Sequence, residues 1–139
     1  MLKDLVIRNR SFRGYDESRK ISEEELLELV DLTRYTASSA NTQPLKYHIA
    51  YEKEEVDAIQ ALTKWAAALP QLSLPYPGQC PTGFIVICLD KSIAPNETAF
   101  LRDIGIAAQT ILLAAAEKNL GGCMIGNFNR AALKELLKL

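Results

Sequence analysis

Apolar positions along the chain fall into short helical and strand-like runs divided by polar or proline-rich breaks. Leu2, Leu5 and Val6 share one side of a short amphipathic helix predicted over 2–9. Ser22 and Glu25 form a capping box, each side chain serving the other's free backbone N–H. The helix they open carries Leu26, Leu27, Val30 and Arg34 and runs to about Tyr35. A polar turn over 38–44 follows. Residues 47–51 alternate like a strand, and 54–69 reads as a helix carrying Trp65. Pro70, Pro75, Pro77, Gly78 and Pro81 make 69–81 a loop, because proline satisfies neither ladder nor helix.

Residues 84–89 are a continuous apolar, β-rich run, the pattern of a strand covered on both faces. Asn96 caps a long helix to Lys118, almost wholly apolar from Ile104 to Ala116 and therefore expected in the middle of the fold. Asn119 stands where a left-handed C-terminal residue is expected. Residues 121–128 predict a third strand, and Asn129 caps a last helix over 130–139. Helices alternating with three strands predict an α+β fold, an α/β sandwich, in one domain spanning 1–139. So thin a sheet points to a chain that continues further or leans on a partner.

Composition narrows the function. Sixteen basic and seventeen acidic residues leave a formal charge of -1, no footprint for nucleic acid or an anionic membrane. The longest apolar stretch, 106–116, is broken by Gln109 and Thr110 and falls short of the roughly 20 residues of a membrane crossing. The N-terminus carries Asp4 and no signal core, so a cytoplasmic protein is expected. Cys80, Cys88 and Cys123 are widely spaced and suit reduced, part-buried thiols; with one histidine, His48, they form no metal site. His48 has no Ser, Cys or carboxylate neighbour in sequence that would make a triad, and a strand-end position is its expected role.

Three segments carry candidate chemistry. Arg10-Ser11-Phe12-Arg13 offers two guanidinium forks and a hydroxyl to a phosphate, although alone it reads more readily as a solvated basic helix end. Ser38-Ser39-Ala40-Asn41-Thr42-Gln43-Pro44 sets hydroxyls and amides where a polar ring edge could meet them; as composition it is only a helix-ending loop. Gly126 and Asn127 end the third predicted strand, where backbone amides can approach a ligand closely or simply turn the chain.

In this order the segments resemble the nitroreductase family, FMN-dependent enzymes that pass electrons from NAD(P)H to nitroaromatics, quinones and similar acceptors. Asn9, Arg10, Ser11, Arg13 and Tyr15 match its phosphate and ribityl motif; Asn9 departs from the usual base, which Arg8 can replace. Residues 38–44 match a segment that contacts the flavin from the neighbouring subunit, with Leu45 where many relatives carry tryptophan. Asp103-Ile104-Gly105-Ile106-Ala107-Ala108-Gln109 resembles the family's central helix, a dimer-interface element, with Asp103 expected as a surface carboxylate. Leu120 to Phe128 resembles the strand whose far end meets the flavin ring.

The resemblance therefore implies a mixed or antiparallel sheet flanked by helices, in a homodimer with FMN at the subunit interface. It assigns the cofactor to Arg8, Arg10, Ser11, Arg13, Ser38, Ser39, Asn41, Gln43, Gly126 and Asn127, with no side chain as acid or base. Its partners would be NAD(P)H and a small electron acceptor, in ping-pong order. Relatives continue past the last helix into another strand and a basic tail, so this domain is expected to lack both. The competing readings are a dimeric FMN carrier or sensor without turnover, and a plain interaction domain that binds no flavin.

Overall fold

The computed structural model describes residues 1–139. Its helices are α1 (Leu2–Arg8), α2 (Glu23–Asp31), α3 (Lys53–Ala61), α4 (Leu101–Glu117) and α5 (Arg130–Leu136). Its strands are β1 (Leu45–Ala50) and β2 (Phe84–Leu89). They pair antiparallel, Leu45 opposite Leu89 and Ala50 opposite Phe84, giving a two-stranded sheet between two layers of helix. Side chains alternate across it. Tyr47 and Ile85 pack with Leu29, Ile111, Ala114 and Ala115 of α2 and α4. Phe84, Val86 and Ala50 pack on the other face with Val56, Ile59 and Leu133 of α3 and α5. Helices on both sides are why β2 is apolar at every position.

Local signals hold where expected. Ser22 Oγ accepts from Glu25 N at 3.2 Å, and Glu25 accepts from Ser22 N at 2.9 Å. α2 continues as a 3₁₀ turn over Leu32–Tyr35. Asn96 accepts from Thr98 N and starts a 3₁₀ turn that leads into α4; Asn119, at φ 58°, ends it. Asn129 accepts from Ala132 N at the head of α5.

Three expectations about the elements are corrected. The helix expected over 54–69 stops at Ala61, because the next residues pair elsewhere: Lys64 N donates to Asn127 O and Asn129 N to Leu62 O, both at 2.8 Å. The third strand expected over 121–128 is reduced to two isolated bridges, Ser11 with Gly122 and Thr63 with Phe128. α4 also differs from a wholly enclosed helix, since Leu101, Gly105, Ile106 and Gln109 face solvent. With its 3₁₀ lead-in, the segment 97–117 reaches a mean hydropathy of 1.4 over 18 residues, the length and apolarity of a membrane span. Yet Asp103 is buried in it at 3% exposure, and its other face packs on α1 and α2.

The capping box is pH-sensitive. The Arg19 guanidinium, and next the Ser22 N–H, hold the Glu25 carboxyl down at about 2, from an ordinary 4.5. A depressed carboxylate stabilises fully above its unfolded value, loses that advantage as pH falls, and keeps none below about 2. With Arg19 half-exposed, screening limits the pair, so Glu25→Ala is expected to lower stability by about 1–2 kcal/mol at pH 7. Urea unfolding of both proteins checks this, and a gap that persists unchanged at pH 2 would rule out the carboxylate as its source.

Candidate functional site

The basic segment leaves α1 and runs beside residues 119–122. Phe12 N donates to Gly122 O at 3.0 Å, and Arg8 Nη1 to Asn119 Oδ1 at 3.2 Å. A Cβ on Gly121 would lie 2.9 Å from the Phe12 ring, so glycine allows the two segments to approach. Arg8, Arg10, Ser11 and Arg13 are all exposed. Arg13 Nη1 reaches only the Ser11 carbonyl, at 3.3 Å. Arg19, Arg34 and Arg130 each meet a carboxylate; Arg8, Arg10 and Arg13 meet none, and neither does Arg102 of α4. Three unneutralised guanidiniums on one short ledge form a donor set suited to a phosphate.

Tyr15 connects this ledge to the interior. Its hydroxyl donates to Phe12 O at 2.8 Å and its ring meets Trp65 edge-on, 6.1 Å between centroids. Burial first, and then the Cys123 thiol, push the Tyr15 phenol above its ordinary range. Trp65 is 7% exposed and donates to Thr63 Oγ1 at 2.8 Å, which makes it a core residue. Its neighbours Thr63 and Lys64 bridge to 127–128. The contacts thus run from the arginines to the end of the 119–128 segment. There the N–H groups of Gly126 and Asn127 make no hydrogen bond within the chain, and the space beside Gly126 is open.

The segment 38–44 belongs to another neighbourhood. Ser38 Oγ donates to Asp103 Oδ2 and Ser39 Oγ to Asp103 Oδ1, both at 2.7 Å, and Ser39 N also donates to the carboxylate. Gln43 N donates to Ser38 Oγ at 2.9 Å. Asn41 and Gln43 are exposed, while Pro44 is fully buried. No hydrogen bond joins this loop to residues 8–15 within the chain. Asp103, expected at the surface, is instead the enclosed anchor of the loop; the Ser-Ser pair 64 residues away was the only signal that could have located it.

The structure adds one partner that sequence did not offer. His48 Nε2 lies 2.9 Å from Glu55 Oε1, a contact between β1 and α3 that includes no nucleophile. No group of three His, Cys, Asp or Glu is placed to hold a metal ion. A broad surface depression lies elsewhere, lined by Leu27, Leu32, Leu45 and Tyr47, and contains none of the expected cofactor residues.

Residues 7–139 match the model of the nitroreductase family. The chain is 25% identical over 138 residues to an Archaeoglobus fulgidus protein provisionally named an NADH dehydrogenase/NAD(P)H nitroreductase, covering 96% of this chain and 74% of that one. It superposes with TM-score 0.79 and 24% identity on a provisionally named nitroreductase of Desulfovibrio desulfuricans solved in complex with FMN, covering 99% and 76% of the two chains. With Vibrio harveyi NADPH:FMN oxidoreductase complexed with NAD+, the TM-score is 0.74 at 24% identity, covering 99% and 62%.

Proposed function

The chain belongs to the nitroreductase family, and from that premise we propose that it is an FMN-dependent oxidoreductase drawing on NAD(P)H. The observation that carries the reading is the ledge of Arg8, Arg10 and Arg13, three guanidiniums without carboxylate partners. FMN bound in the Desulfovibrio structure, and the named activity of the Vibrio protein, support the same cofactor. Bound there, FMN would accept hydride from the nicotinamide and pass electrons to a nitroaromatic, quinone or similar acceptor in ping-pong order.

The residues present fit that group. Arg10, Arg13 and the Ser11 hydroxyl would hold the phosphate, with Arg8 beside Asn119 adding charge. The unengaged N–H groups of Gly126 and Asn127 are donors for negative charge on a reduced ring, and the open space at Gly126 admits its edge. Asn41 and Gln43 would approach from a second copy, which makes the active species a homodimer. Two features support pairing. The chain exposes 9037 Å², where a compact monomer of 15.4 kDa exposes about 7,200 Å². α4 also leaves Leu101 at 59% and Ile106 at 40% exposure.

Incubation with FMN followed by gel filtration is expected to give a yellow protein with one flavin per chain, and NADH or NADPH should bleach it faster than free FMN. A chain that stays colourless would refute the reading. Bound flavin that neither nucleotide reduces would establish the carrier or sensor instead.

A further inference from the structure

Asp103 does work that its position on an apolar helix conceals. The loop it touches is strained: Ala40, Asn41 and Gln43 all take left-handed backbone, at φ 51°, 53° and 54°, with no glycine among them. Such residues persist only where their surroundings enforce them. The exit is fixed by buried Pro44, whose carbonyl accepts from Asp90 N at 2.9 Å. The entry is fixed by Asp103, which accepts from both Ser38 and Ser39 side chains and from Ser39 N. Ser38 Oγ then closes the circuit by accepting from Gln43 N. Burial pushes the Asp103 carboxyl up, but the Ser38 and Ser39 donors outweigh it and leave it below the ordinary carboxylate range.

We propose that Asp103 is a positioning residue, a clasp that presets the strained 40–43 turn so that Asn41 and Gln43, rather than Ser38 and Ser39, face the ligand. The ligand assignment rests on the proposed FMN site; the clasp itself does not. Both serine hydroxyls already donate to Asp103, so neither retains a donor proton for a flavin. Asn41 and Gln43 have exposed amides, each with donor and acceptor groups, which suit a ring edge that presents both. The two serines therefore act through Asp103, and the arrangement is formed before any ligand arrives.

A double-mutant cycle in FMN dissociation constants tests this, using Ser39→Ala, Asp103→Asn and the pair, with amide hydrogen exchange on the same proteins. Losing charge-assisted hydrogen bonds to a buried acceptor is expected to raise Kd about tenfold to a hundredfold in Asp103→Asn. The double variant should be no worse than Asp103→Asn alone, and Gln43 N–H should exchange faster in each variant. Additive losses would mean that Ser39 touches the ligand independently, overturning the division of roles. Unchanged exchange at Gln43 would overturn the clasp. If Asp103→Asn does not fold, Ser39→Ala decides the point through exchange and through Kd beside Asn41→Ala, which should be the weaker binder. A wild-type chain that binds no FMN would sink the proposed function and the ligand roles together, leaving exchange at Gln43 to judge the clasp.

Discussion

Changing Arg10 and Arg13 together to alanine is expected to leave a folded chain that no longer retains FMN through gel filtration. Both side chains are exposed and neither meets a carboxylate, so truncation breaks no ion pair and opens no cavity. Surface changes of this kind stay within about 0.5 kcal/mol of the parent stability. The ligand, by contrast, loses two charge-assisted donors, each worth about 1.5–3 kcal/mol. Together that is about 3–6 kcal/mol, or roughly 10²–10⁴ in Kd. Arg13→Lys should recover only part of the loss, because an ammonium keeps the charge without the planar fork. Flavin fluorescence titration at two salt concentrations checks the attribution: the double variant should respond less steeply to salt. A Kd within threefold of wild type would remove the phosphate role of this segment and with it the main support for the cofactor.

What sequence made legible was local. The Ser22–Glu25 box, the Asn119 stop and the Asn129 cap each involve residues within a few positions of one another, and all three occur as expected. The apolar run of β2 was legible because helices on both faces leave no polar position. Sequence alone misled where distant partners decide. Residues 121–128 have strand composition, but their partners are single residues at 11 and 63, so no ladder forms. Helix propensity after Ala61 loses to hydrogen bonds between 62–64 and 127–129. The order of the nitroreductase motifs was readable from sequence, and the family match extends over 7–139, while the arginine ledge and the Ser38–Gln43 loop share no hydrogen bond within one chain. A carboxylate on a helix is by default solvated, and only Ser38 and Ser39 folding over Asp103 makes it internal.

Gly105→Glu is expected to have opposite effects on the chain and on its assembly, converting the proposed dimer of two 15.4 kDa chains into monomers. Leu101, Gly105, Ile106 and Gln109 form one exposed stripe of α4, and a Cβ at Gly105 meets nothing within 4 Å. Inside one chain the new side chain therefore meets no clash, and replacing a mid-helix glycine with a good helix former stabilises α4 by about 0.5–1 kcal/mol. Against a second copy the same change is unfavourable on two counts. A side chain fills the gap that Gly105 leaves for close backbone approach, and a carboxylate enters a contact made by the exposed Leu101 and Ile106. Burying it unpaired costs at least several kcal/mol, more than a marginal interface provides. Sedimentation velocity beside urea unfolding separates the effects: a smaller particle that resists urea slightly better within each chain. Because Asn41 and Gln43 are assigned to the opposite subunit's flavin, FMN should be lost as well. A Gly105→Glu protein that remains dimeric would move the interface off α4, and a wild-type chain that sediments as a monomer would end the shared-site proposal, since 38–44 could then reach no ledge but its own.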